Sequence, residues 1–297
     1  MKYNNINKDF FICKFIKIPF NKFTISLSKI PLTILFALTP ISKDVKIKKY
    51  FNNNIKTYVF EPKNNNDNLP CLIYFHGGGF GYKASPFHKK RVAIYAKYAK
   101  LKVIFPDYRL LPKYNYKEIR DDAINTYKWV IKNYEKLGIN KEKIIIGGDS
   151  AGAILATYVT NALDSICAQM LIYPGTDAMT KTKSMKKYYN TPMWNSKNNK
   201  KMWQMFLKGL NDSEKIEASP MQATLKNNIP NTYIEIAEFD PLHDEGINYY
   251  NRLKEKNTNV KLVKTKGTVH GYDMILKSKI TKDSMQKRIE FLKENIK

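Results

Sequence analysis

The chain has 297 residues, is 43% hydrophobic, and carries 51 lysines and arginines against 26 acidic residues, a net charge of +25. That size and apolar content suit one large globular domain with a small lid. Cys13, Cys71 and Cys167 are odd in number and show no C-x-x-C spacing, which excludes a disulfide framework and a zinc site and suits a reducing, cytoplasmic compartment. The lysines are scattered rather than gathered in a stripe, and Asn, Ile and Tyr are abundant beside them, as in an A+T-rich coding sequence. No nucleic-acid partner is therefore expected.

Residues 1–43 hold two apolar runs, FFICKFIKIPF and IPLTILFALTP, broken by lysines and prolines. The longest clean run, 30–41, falls short of the roughly 18–20 residues that cross a bilayer. Helical pieces packed over the mouth of a site are expected here. The alternative is an amphipathic patch resting weakly on a membrane surface. From Val45 the pattern alternates. VKIKKYFN and IKTYVFEP, separated by asparagines, read as a hairpin, and 63–68 as a polar loop. Residues 71–75 form a continuous apolar run, as in a strand buried on both faces. Ser85-Pro86 opens a helix to about residue 100. A strand at 103–106 follows, then an amphipathic helix over 116–135.

The stretch IIIGGDSAGAIL, 144–155, is the most informative. A β-branched run ends in glycines, a serine stands at the tip of the turn, and a helix over 153–163 follows. This is the G-x-S-x-G pattern in the strand–turn–helix context that lifts a serine hydroxyl clear of a sheet. Beyond it lie a strand at 166–173, a long irregular segment over 176–225 with a helix near 200–208, and a strand at 232–237. A helix at 243–255, a strand at 260–265, a loop at 267–270 and a C-terminal helix complete the chain. This alternation predicts a mostly parallel sheet with helices on both faces and an antiparallel hairpin at one edge.

A serine becomes nucleophilic when a base, a group that orients the base, and oxyanion donors surround it. Ser150 is the candidate nucleophile. Of the four histidines, His270 sits in a glycine-flanked loop after the last strand and is the candidate base. His88 falls inside a helix, His243 starts one, and His76 is expected to hold its own loop by hydrogen bonds. Asp240, directly after a strand, is the candidate orienting group. Asp244 and Glu245 are the alternatives, more naturally read as anions at a helix N-terminus. Asp149 is expected to support the turn from outside the reacting set. The amides of Gly77, Gly78 and Ala151 are candidate oxyanion donors. A phosphate cradle is the competing reading, but neither G-x-G-x-x-G nor a following G-K-[ST] occurs.

HGGGF, DYRL-x-P, GDSAG, DPLHDEG and HGY, in this order, resemble the hormone-sensitive-lipase-like branch of the α/β-hydrolases. That branch includes bacterial acetyl esterases and arylacetamide-deacetylase-like carboxylesterases. The resemblance runs from about residue 55 to the C-terminus. It implies an α/β-hydrolase fold: a mostly parallel sheet of about eight strands flanked by helices, with a small helical cap. Residues 1–43 would form the N-terminal part of the cap, 44–297 the catalytic domain, and 176–225 a cap insertion after the sixth strand. Ser150, His270 and Asp240 would form the triad, with Gly77, Gly78 and Ala151 as the oxyanion hole and no metal or cofactor. Lys83 stands where the family has glycine, and Leu111 and Lys113 replace alanine and glutamate. These departures bear on the loop beside the acyl pocket, not on the triad.

The expected activity is a serine carboxylesterase for small, short-acyl esters. Deacylation of amides or acetylated sugars, and lipase activity, are alternatives on the same fold. A ligand-binding protein on that fold would have lost its nucleophile or base, and a membrane-surface protein would depend on residues 1–43. Expected partners are a small-molecule ester, a weak membrane contact through 1–43, and a second copy in a homodimer.

Overall fold

Cys71 to Phe75 are apolar at every position because two cores need them. In a computed structural model of the chain, which describes residues 5–52, 55–63, 68–256 and 258–297, these side chains point alternately to opposite faces of one sheet, and all are fully buried. Cys71, Ile73 and Phe75 join one apolar cluster, and Leu72 and Tyr74 join the other.

A 3-10 stretch, Lys8–Phe15, and helix α1, Lys22–Leu38, come first. Strands β1, Val45–Asn52, and β2, Ile55–Pro62, form the antiparallel hairpin, although part of its turn lies outside the described residues. So does most of the polar loop expected at 63–68. Then follow β3, Leu69–Phe75, α2, Pro86–Ala99, β4, Lys102–Pro106, α3, Tyr116–Lys132, and a short α4, Tyr134–Leu137. Next are β5, Ile139–Asp149, α5, Ala151–Ala162, and β6, Ala168–Ile172. The 176–225 segment holds three helices: α6, Lys183–Lys187, α7, Ser196–Phe206, and α8, Asp212–Glu217. The chain ends with β7, Asn231–Phe239, α9, His243–Glu255, β8, Val260–Val269, and α10, Lys279–Glu294.

The eight strands lie in the order β1-β2-β4-β3-β5-β6-β7-β8. From β4 to β8 the pairing is parallel, while β2 joins β4 antiparallel. Helices α3, α5 and α9 pack in the cluster on one face, and α2 and α10 in the cluster on the other. The mostly parallel, doubly covered sheet expected from the alternation is borne out.

Several boundaries differ from the sequence expectation. The helix expected over 116–135 breaks at Asn133, whose side chain turns back onto the Trp129 carbonyl at 2.8 Å. The last strand extends through Val269, so most of the loop expected at 267–270 is strand, and His270 stands just past its end. One helix was expected in 176–225, and three short ones are found. Each opens on a Thr or Asn side chain that accepts from the backbone three residues on; α7 answers to the expected helix, while α6 and α8 are too short to show periodicity.

The N-terminal residues meet the 176–225 segment above the C-terminal ends of the strands. The Met193 amide donates to the Ile16 carbonyl at 2.8 Å, and Asn198 Nδ2 to the Ile18 carbonyl at 2.7 Å. Phe20 sits edge-on to Trp194 at 5.3 Å, and Phe10 edge-on to Tyr272 at 5.5 Å. Phe10, Cys13, Phe20 and Ile25 are buried, so these contacts fasten the segment onto the rest of the fold. Among the described residues, no helix is long and apolar enough to cross a membrane.

Candidate active site

The turn between β5 and α5 has almost no spare room. A Cβ on Gly148 would lie 2.3 Å from the Gly152 carbonyl, and one on Gly152 would lie 2.1 Å from the Phe75 carbonyl oxygen. Both neighbours are backbone and cannot swing aside, so only glycine fits. Between them Ser150 adopts φ 54°, ψ −119°, a conformation that costs a non-glycine residue on the order of 1–3 kcal/mol. The helix therefore starts at Ala151, two residues before the sequence suggests. The Ala151 amide falls in the first turn, where no intrahelical partner is available.

Three elements distant in the chain converge here. His270 Nε2 lies 2.9 Å from Ser150 Oγ, and His270 Nδ1 lies 2.7 Å from Asp240 Oδ2. Asp240 is fully buried, and its Oδ1 accepts from the Leu242 amide at 2.8 Å, which fixes the carboxylate plane. Asp244 and Glu245 do not approach His270. The Ser184 amide donates to Asp244 at 2.7 Å and the Asp177 amide to Glu245 at 3.1 Å, so both carboxylates fasten the 176–225 segment rather than their own helix start. Burial raises the Glu245 carboxyl well above its ordinary value.

The other candidates are accounted for by their partners. Asp149 turns away from His270: Tyr74 donates to Oδ1 at 3.0 Å, Arg91 pairs with the same oxygen at 3.0 Å, and His88 Nε2 lies 3.1 Å from Oδ2. Burial alone would raise this carboxyl, but Arg91 and His88 hold it well below the carboxylate range. His88 also faces Ser85 at the start of α2, and His243 Nδ1 lies 2.8 Å from the Ala237 carbonyl. Gly77 leaves no room for a Cβ, which would come within 2.6 Å of Asp149 Oδ2. Gly78, at φ +112°, lines the cavity over the serine. Lys83 pairs with Asp107 at 2.6 Å, and Leu111 is buried in the core.

His76 holds its loop as expected, with Nδ1 2.7 Å from the Gly77 carbonyl and its ring stacked on Tyr108 at 4.5 Å. Burial, helped by neighbouring His88, pushes it down to about 3. The unfolded chain takes up this proton near pH 6.5. A depressed histidine contributes stability that is present above pH 6.5 and lost as the pH falls toward its folded value. Between pH 6.5 and 5 the unfolding free energy should decline by up to about 1.4 kcal/mol per pH unit from this group. Urea midpoints across that range, in wild type and His76→Phe, measure it. Equal slopes in the two proteins would show that His76 is not the group responsible.

A cavity of about 220 Å³ lies over Ser150 and His270. Its walls are largely apolar: Ile18, Leu32, Phe87, Tyr173, Met193 and Trp194. Sequence reasoning did not single these out, because they come from the N-terminal segment, the ends of β6 and α2, and the irregular segment. The Met- and Trp-rich composition of 176–225 was the one available signal. A larger cleft of about 360 Å³, between α3, α5 and α8, contains none of the candidate site residues. Among the described residues, no group of three or more His, Cys, Asp or Glu is placed to hold a metal.

Comparison with known proteins places this chain in a family. The chain is similar to ethyl acetate hydrolase of Pseudomonas putida, 30% identical over 208 residues covering 68% of this chain and 65% of that protein. It is also similar to carboxylesterase NlhH of Mycobacterium tuberculosis, 29% identical over 228 residues, 74% of this chain and 71% of the relative. Among solved structures, a bacterial heroin esterase superposes with a TM-score of 0.90 over all of both chains at 23% identity, which speaks to the fold. A family model described as the alpha/beta hydrolase fold matches residues 72–274. The chain belongs to the α/β-hydrolases, in the hormone-sensitive-lipase-like branch whose motifs its sequence carries.

Proposed function

We propose that this chain is a serine carboxylesterase acting on small, uncharged esters with short acyl chains. The observation that carries the reading is the unbroken relay from Ser150 Oγ through His270 to Asp240, at 2.9 and 2.7 Å. Ser150 Oγ attacks the ester carbonyl carbon and passes its proton to His270 Nε2. The carbonyl oxygen becomes an oxyanion, held by the amides of Gly77, Gly78 and Ala151. As the tetrahedral species collapses, the bond to the alcohol oxygen breaks, and His270 returns the proton to that oxygen. The acyl group stays on Ser150. Water then gives a proton to His270 and attacks the acyl carbon, and the acid leaves as Ser150 regains its proton. Asp240 holds the imidazole with Nδ1 protonated and stabilises its positive form.

The cavity supports this substrate class. About 220 Å³ with mostly apolar walls suits a short acyl chain and offers little to a charged one. The relatives named as an ethyl acetate hydrolase and a carboxylesterase support the same class. We propose that residues 1–43 and 176–225 together cap this cavity and set its length. The test is hydrolysis of a series of p-nitrophenyl esters. kcat/KM is expected to be highest for acetate to butyrate and to fall by about tenfold or more for octanoate and longer, because a longer chain must crowd the walls of a cavity of about 220 Å³, and overpacking costs about 1–3 kcal/mol. Preference for long chains would replace this reading with a lipase. Faster turnover of anilides or acetylated sugars than of matched aryl esters would replace it with a deacylase of those substrates.

A further inference from the structure

Helix α1 is apolar on two opposite sides. At 100° per residue, Ile25, Leu32 and Phe36 fall on one side, and Phe23, Leu27, Ile30, Ile34 and Leu38 fall within an arc of about 80° on the other. The first group serves the protein. Ile25 and Phe36 are buried, Phe36 stacks on Phe105 at 5.8 Å, and Leu32 lines the cavity over Ser150. The second group is left uncovered among the described residues. Phe23 is 74% exposed, Leu27 66%, Ile30 73% and Leu38 75%. The preceding 3-10 stretch also exposes Phe11, Ile12 and Phe15. A helix resting on a soluble core turns polar residues outward, and an aligned apolar face of this length marks an interaction surface.

The charge around it selects the occupant. Residues 8–43 carry Lys8, Lys14, Lys17, Lys22, Lys29 and Lys43 against a single acid, Asp9. A second copy docked face to face would set these lysines against their own kind. An anionic bilayer meets both requirements, with acyl chains for the apolar arc and headgroups for the lysines.

We propose that the outward face of α1 docks on an anionic lipid bilayer, lying in its surface. The docked face and the wall of the cavity are then two sides of a single helix. Docking does not depend on the esterase reading, because it can be observed without catalysis.

The experiment is flotation of the full chain with phosphatidylcholine vesicles, with and without phosphatidylglycerol. Binding should be roughly tenfold or more stronger with the anionic lipid, since each lysine near such a surface contributes about 1 kcal/mol. The triple variant Phe23→Ser/Leu27→Ser/Ile30→Ser should stay at the bottom of the gradient. It should still hydrolyse a soluble short ester at the wild-type rate, which also reports that it is folded. A separate Phe23→Trp variant should show an emission band quenched by brominated lipid. Absence of flotation, equal flotation of the triple variant, or an unquenched tryptophan would each overturn the proposal. So would a wild-type dimer that the triple substitution dissociates without any lipid binding, which would give this face to a second copy.

Discussion

Ser150→Ala is expected to lower kcat for p-nitrophenyl acetate by about 10⁴- to 10⁶-fold while leaving KM within a few-fold of wild type. The hydroxyl is the atom that forms the acyl bond, and among the described residues it is the hydroxyl that meets His270 Nε2, at 2.9 Å. KM holds because the cavity walls come from other residues. The loss is incomplete because the donors of the oxyanion hole and the bound geometry remain. His270→Ala should fall in the same range, and the double variant should be no worse than either single one, since nucleophile and base act as a unit. Asp240→Asn should cost about 10⁴-fold by favouring the wrong imidazole tautomer. Wild-type hydrolysis by Ser150→Ala would end the esterase reading. A Ser150→Ala/His270→Ala variant far slower than both single variants would end the relay.

Arg288→Met is expected to lower the unfolding free energy by about 3–5 kcal/mol. Arg288, on α10, is fully buried. It donates through Nε to Glu235 at 3.0 Å, pairs with the same carboxylate through NH2, and reaches Asp273 at 2.7 Å. Asp273 also accepts from Arg91 at 2.9 Å and from Tyr173 at 2.8 Å, and Arg91 reaches Asp149 beside the nucleophile. Removing one guanidinium leaves the Glu235 side chain buried without its cationic partner, with Tyr233 and Tyr272 as its remaining side-chain donors among the described residues. Urea unfolding should show a lower midpoint with an unchanged slope. The double variant Arg288→Met/Glu235→Gln should recover part of the loss, because it removes the stranded charge. A single variant within about 1 kcal/mol of wild type would show that the network is neutral in the balance.

Acid should act on the same cluster. Burial would raise the Asp273 carboxyl, but Arg91 and Arg288 hold it below its usual range. Its contribution is present above the unfolded value near 4 and is lost as the pH falls through the folded one. The Asp149 carboxyl follows the same sign.

What was legible in the sequence was what local sterics and burial dictate. The glycines of the elbow declare themselves because a Cβ at Gly148 or Gly152 strikes backbone. The 71–75 run declares a central strand because two apolar clusters claim its alternate side chains. His270 and Asp240 could be named because each stands at a strand end in the order the chemistry needs. The short helices of 176–225 were not legible, since five or six residues cannot display a helical period and their starts depend on single Asn or Thr caps. Nor was the buried cluster. Arg91 and Asp273 are 182 residues apart, and nothing local to either arginine says that it is buried. The two-sided character of α1 was half visible: the lysines and prolines that interrupt the N-terminal apolar runs disguised an arc that appears only once the residues are wound into a helix.

The strand order also bears on how molecules meet in solution. The sheet begins and ends with β1 and β8, and the outer border of each is a row of backbone donors and acceptors that a neighbouring molecule could extend. Lys46, Lys48 and Lys49 stand exposed along the first, and Lys261, Lys264 and Lys266 along the second. A strand from another molecule added to either border would carry its own lysines into that row, where like charges repel. Part of the excess positive charge thus guards against fibrous self-association at high concentration, and replacing these lysines with threonine would remove that guard.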